Sequence, residues 1–154
     1  MYDLRFAINM EVEGEGYYRH QAQKNRGNAL HKVFSDLAEE EFRHAALLRD
    51  CEMGRPFTGG DLSSNVFDGL SDFNAETKAS PEQADAYRLA LDMEKKSIEL
   101  YEKLRAETQG ADEMFEFLIA QEKEHYRVFE EILKLVNRPN EWVESAEFGT
   151  REEY

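Results

Sequence analysis

Apolar residues recur along this chain at steps of three and four, the spacing of helices that bury one face. Four stretches follow the pattern, at about residues 3–26, 28–53, 81–109 and 112–137. Helix-breaking or capping residues separate them, namely Gly27, Asn28, Gly54, Ser80 and Gly110. Pro139 should stop the fourth helix soon after Asn137. The pattern predicts an all-α protein.

The lengths of the connections predict how the helices are arranged. The links at 24–28 and 109–112 are short, so each should fold two helices into an antiparallel hairpin. The link at 54–80 can run the length of a bundle, at about 3.3 Å per extended residue. We therefore expect one domain over residues 1–154, a ferritin-like four-helix bundle of two hairpins joined by this long crossover. A tail at 138–154 should follow.

The two predicted hairpins share a sequence pattern. Residues 7–18 and 90–101 have Ala, Met, Glu and Tyr at matched positions. Residues 37–44 and 118–125 likewise share Leu, Glu and His at matched positions. This self-similarity indicates that the hairpins are copies of one unit.

Six of the polar residues in this repeat fall on the apolar stripes: Glu11, Glu41, His44, Glu94, Glu122 and His125. Glu11 precedes Gly27 by nearly the same distance along the chain as Glu41 follows it, so a hairpin brings them to a similar height. The second hairpin repeats this arrangement around its own turn. Four other acids point off the stripes and are expected to face solvent: Glu13, Glu39, Glu40 and Glu124.

Four carboxylates in a helical core would repel one another, and each unpaired buried charge costs several kcal/mol. Two divalent cations would balance the four charges, with each histidine adding a neutral nitrogen ligand. A lone Glu-x-x-His is more often a surface pair, but here it occurs twice on apolar stripes. The pattern predicts a two-metal site, and its oxygen-rich ligand set suits iron or manganese better than zinc.

Charge and composition narrow the classes of partner. The formal net charge of -14 disfavours binding to nucleic acid or to an anionic membrane. No segment is apolar enough to span a membrane or to act as a signal peptide. The single Cys51 cannot form an intramolecular disulfide, which is consistent with a reducing, cytoplasmic setting.

The doubled pattern of Glu and Glu-x-x-His resembles the rubrerythrin branch of the ferritin-like di-iron carboxylate proteins, over nearly the whole chain. The resemblance implies a bundle holding two iron ions, with manganese or a mixed pair as alternatives. It implies that Glu41 and Glu122 bridge the metals. It also implies that Tyr18 and Tyr101 hydrogen-bond the ligands, although both could equally be plain core aromatics.

The chain departs from that family in two places. Full-length rubrerythrins carry a rubredoxin-like domain with paired CxxC motifs, which one cysteine cannot supply, so a separate protein should donate electrons. Rubrerythrins also place a further metal-binding glutamate where this chain has Ser97, matched by Gly14 in the first repeat. We expect a more symmetric site, with room near these residues for peroxide or dioxygen.

The resemblance implies a non-haem di-iron oxidoreductase that reduces hydrogen peroxide or dioxygen. Three other functions stay open. The first is a ferroxidase or iron-handling protein, and the second is a manganese catalase. The third is a non-enzymatic helical module that binds partners through its acidic surface and its tail. The protein is expected to form a homodimer.

Overall fold

The computed structural model describes residues 3–59 and 81–147, with side chains described for 3–59 and 83–135. These residues form four helices: α1 (Arg5–Lys24), α2 (Leu30–Glu52), α3 (Pro81–Glu107) and α4 (Asp112–Glu147). The predicted all-α class is confirmed. The bounds differ from the predicted ones by at most a few positions, except at the end of α4.

Two hairpins build the bundle. Helix α1 packs along α2 and α3 packs along α4, and the hairpins meet through α1 with α3 and α2 with α4. In the first turn, Asn28 Oδ1 accepts a hydrogen bond of 2.8 Å from the backbone N of Leu30, at the start of α2. Before α4, Gly110 takes a φ of 85°, a left-handed conformation that favours glycine. The predicted four-helix bundle of two hairpins is therefore confirmed.

Two apolar clusters fill the core at its two ends. The first includes Tyr18, Phe34, Tyr87 and Phe129, and the centroids of neighbouring rings among them lie 5.6 to 6.2 Å apart. The second includes Leu4, Leu48, Tyr101 and Phe115. Helix α2 ends at the second cluster, whereas α3 begins at the first. Helix α2 thus ends, and α3 begins, at opposite ends of the bundle.

Helix α4 is longer than the sequence predicted. It continues through Pro139 to Glu147, so the expectation that this proline stops the helix is wrong. Proline removes one helical hydrogen bond, but its own φ is helical. The residues after Asn140, EWVESAE, contain neither glycine nor proline, so the backbone can resume its hydrogen bonding. Much of the predicted tail at 138–154 is thus helical.

Two predicted features lie outside the described residues. They are residues 60–80 of the crossover and the end of the tail, residues 148–154.

None of the helices in the described part has both the length and the apolar character that a membrane span requires.

Candidate metal centre

The structure brings the six predicted ligand residues together in the core. They form two groups, and within each group the potential ligand atoms lie within 4.8 Å of one another. The first group contains Glu11, Glu41, His44 and Glu122, and the second contains Glu41, Glu94, Glu122 and His125. Since Glu41 and Glu122 belong to both groups, either could bridge two cations.

Helix periodicity places these six residues in the core. Each lies on the buried stripe of its helix, between the two apolar clusters, and none is more than 3% exposed. The Glu41–His44 and Glu122–His125 pairs have the same i, i+3 spacing, so both members of a pair face the same layer. The cluster is therefore a polar layer sealed by hydrocarbon on both sides.

Both histidines turn the same ring nitrogen toward the carboxylates. His44 Nδ1 lies 3.3 Å from Glu11 Oε2 and 3.2 Å from Glu122 Oε1. His125 Nδ1 lies 2.8 Å from Glu94 Oε2 and 3.0 Å from Glu41 Oε1. The two rings are stacked with their centroids 5.7 Å apart. Each Nδ1 is thus placed to act as a nitrogen ligand.

The inward-facing atoms of the cluster lack hydrogen bonds within the described part of the chain. At least one such atom belongs to each ligand: Glu11 Oε2, Glu41 Oε1, His44 Nδ1, Glu94 Oε2, both oxygens of Glu122, and His125 Nδ1. Buried polar atoms are rarely left without a partner, because each costs about 1–3 kcal/mol. Metal coordination would satisfy all of them at once, so the residues fit a pair of cations.

The negative charge of the cluster also favours bound cations. Burial and the carboxylates of Glu11 and Glu122 raise the pKa of Glu41 well above its usual range. Burial and Glu122 likewise raise the pKa of Glu94 to about 8, against the lowering effect of His125. Without a cation, the cluster therefore retains protons at neutral pH to relieve its negative charge.

The two histidines of the cluster also hold protons when no cation is bound. Burial alone would lower the pKa of His44, but Glu11 and Glu122 raise it to about 10. Burial also opposes protonation of His125, yet Glu94 and its neighbours raise its pKa well above the usual range. Cations entering the cluster must displace these protons.

The two tyrosines at matched positions of the repeat, Tyr18 and Tyr101, differ in their hydrogen bonding. Tyr101 donates a hydrogen bond of 2.5 Å to Glu11 Oε1, and burial raises its pKa well above the usual range. The hydroxyl of Tyr18 is fully buried near the carboxylates but has no hydrogen-bond partner among the described residues. The predicted contact with a ligand residue is thus present at Tyr101 and not at Tyr18.

Two residues at the cluster were missed from the sequence. Glu40, which we expected to face solvent, is only 2% exposed, and its Oε1 lies 2.8 Å from His125 Nε2. Gln121 Oε1 lies 2.6 Å from His44 Nε2. Periodicity misjudged Glu40 because it sits beside the stripe, where the facing hairpin covers it. The sequence repeat could have indicated both residues, because each directly precedes a glutamate that belongs to both ligand groups.

Gly14 does not leave the open space that the sequence suggested. A Cβ added there would lie 3.1 Å from Glu41 Oε2, so the carboxylate already fills the position. Ser97 Oγ donates to the backbone oxygen of Met93 at 3.1 Å, a bond within its own helix. The expected room for a small oxidant beside Gly14 is therefore wrong. The glycine instead allows Glu41 to approach α1.

Comparison with known proteins identifies the family. The rubrerythrin family model matches residues 3–133, which is most of the chain. The chain belongs to the rubrerythrin family. No curated protein and no solved structure gives a significant match. Membership of this family indicates a di-iron oxidoreductase, and the buried glutamates and histidines could hold the metal.

Replacing Gly14 with alanine should weaken metal binding. The new methyl group would press on Glu41 Oε2 and displace a carboxylate shared by both groups. We expect the affinity for Mn²⁺ to fall about 10-fold or more, in the range of other changes around metal ligands. Gly16→Ala is the matched control, because a Cβ there meets nothing within 4 Å. Calorimetric titration showing equal affinities for the two variants would contradict the assigned contact.

Metal binding should release protons and should tighten as the pH rises. Protons occupy His44 and Glu94 below their pKa values of about 10 and about 8, so acid competes with the cation. The affinity for Mn²⁺ should increase from about pH 6 to about pH 8. Calorimetry in two buffers with different heats of ionisation counts the released protons. Binding without proton release, at an affinity independent of pH, would contradict these protonation states.

Proposed function

We propose that this protein is a non-haem di-iron oxidoreductase that reduces hydrogen peroxide or dioxygen with electrons from a separate donor protein. One observation carries the proposal. Two groups of buried ligand atoms, without hydrogen bonds in the described residues, share Glu41 and Glu122 at the centre of the bundle. Family membership supports the same reaction class.

The ligands divide between two cations. Glu11 and His44 would hold one ion, Glu94 and His125 would hold the other, and Glu41 and Glu122 would contact both. The four carboxylates among these ligands match the charge of two divalent ions. Six side chains with only two nitrogens suit iron or manganese, which favour oxygen-rich sites with some imidazole.

When bound, a ferrous pair supplies the two electrons that convert one peroxide and two protons into two waters. The chain provides the surroundings for this chemistry. The apolar clusters at both ends exclude water, and the shared carboxylates of Glu41 and Glu122 would hold the ions. Tyr101 keeps its phenolic proton and donates it in a hydrogen bond to Glu11, which holds that ligand in place.

Several parts of the proposal concern the cellular setting. We propose a cytoplasmic protein that forms a homodimer and receives electrons from an external donor. The single Cys51 supports a reducing environment. Exposed apolar side chains such as Phe6, Phe42 and Leu89 are compatible with a contact between subunits. The acidic net charge argues against nucleic acid as a partner.

Replacing Glu41 with alanine should abolish both iron binding and the reaction. We expect the parent protein, loaded anaerobically and desalted, to retain two iron ions per chain and to be oxidised rapidly by peroxide. The variant should lose affinity by more than about 100-fold, because it lacks a ligand common to both ions. Glu39→Ala, on the exposed side of the same helix, should match the parent protein.

The same experiment separates the alternatives. Ferric iron that stays bound and is reduced again by a donor supports the oxidoreductase, whereas release of iron after oxidation would indicate ferroxidase or iron-handling activity. Preferential manganese binding with peroxide disproportionation would indicate a manganese catalase. Protein that binds no metal would contradict the proposal and favour a non-enzymatic helical module.

A further inference from the structure

The outer nitrogens of the two histidines have different partners. His44 Nε2 lies 2.6 Å from the amide oxygen of Gln121, and His125 Nε2 lies 2.8 Å from a carboxylate oxygen of Glu40. Each partner comes from the opposite hairpin. Because both oxygens accept hydrogen bonds, each Nε2 keeps its hydrogen, and Nδ1 is the nitrogen that would give up its proton and offer a lone pair to a cation.

Glu40 and Gln121 occupy equivalent positions in the repeat, directly before Glu41 and Glu122. Both are buried. The two hairpins therefore differ by one charge at a position that touches a ligand. A carboxylate acceptor makes a stronger, charge-assisted hydrogen bond than an amide and raises the basicity of the imidazole.

A second difference between the two ligand groups also leaves more negative charge beside His125 than beside His44. The hydroxyl of Tyr101 donates to Glu11, which draws negative charge away from the group that contains His44. The matched hydroxyl of Tyr18, beside the other group, makes no hydrogen bond within the described residues. The group with His125 thus has an extra anion behind its histidine and lacks the equivalent donor on its glutamate.

We propose that Glu40 and Gln121 make the two metal positions unequal, so that the first divalent cation binds beside His125. This inference rests on the proposed metal site. Glu40 is a positioning residue, since it touches His125 and not the cation. The near-symmetric set of six ligands therefore becomes an ordered pair, with one tight and one exchangeable position.

Exchanging the two partners tests the proposal. Glu40→Gln should weaken the tighter site about 10- to 100-fold, the usual effect of removing such a partner. Gln121→Glu should strengthen the weaker site. The double variant Glu40→Gln/Gln121→Glu restores one carboxylate and one amide, and it should reverse the order of filling. All three changes keep the side-chain length, and denaturation of the metal-free proteins checks that each one folds.

Crystals of protein loaded with one equivalent of Co²⁺ give the deciding readout, because anomalous scattering reports the occupancy at each position. We expect the ion beside His125 in the parent protein and beside His44 in the double variant. Equal occupancy in the parent protein, or an order that ignores the exchange, would overturn the inference while leaving the metal site intact. Absence of cobalt from both positions would instead contradict the proposed function.

Discussion

The structure depends on one electrostatic constraint: five glutamates are buried in the described residues, four at the candidate metal centre and Glu40 beside it, and no arginine or lysine is buried with them. Such an arrangement is unstable unless protons or cations neutralise it. The raised pKa values of Glu41 and Glu94 show the first solution, in which protons stay on the cluster. Two divalent ions are the second, and they also satisfy the inward-facing atoms that lack hydrogen bonds.

The rest of the fold serves to hold this layer in place. The helices bring aromatic and aliphatic side chains together at both ends of the bundle, so the polar layer is shielded from water. Contacts across the hairpins then orient the ligands, as Glu40 and Gln121 do for the two histidines. Gly14 contributes by lacking a side chain, which lets Glu41 reach the shared position. Packing and site geometry are therefore parts of one arrangement.

The sequence predicted the helices and the six clustered residues because both follow from helical periodicity. Acids on an apolar stripe, repeated in two hairpins, leave few arrangements other than a buried cluster. The contacts between hairpins could not be predicted in the same way. Glu40 lies beside its stripe, and only the position of α4 shows that it is covered. The filled space at Gly14 likewise depends on the rotamer of a side chain from another helix. The end of α4 could not be predicted from Pro139 alone, because the helix continues through the residues that follow this proline.

The central claim is that two cations occupy the buried cluster between the hairpins. The most direct test is a crystal structure, with data collected at the iron absorption edge, of protein loaded anaerobically with ferrous iron. The account predicts two strong anomalous peaks within the bundle, with the carboxylates of Glu41 and Glu122 in contact with both. Iron found only on the acidic surface, or a bundle interior without any peak, would contradict it.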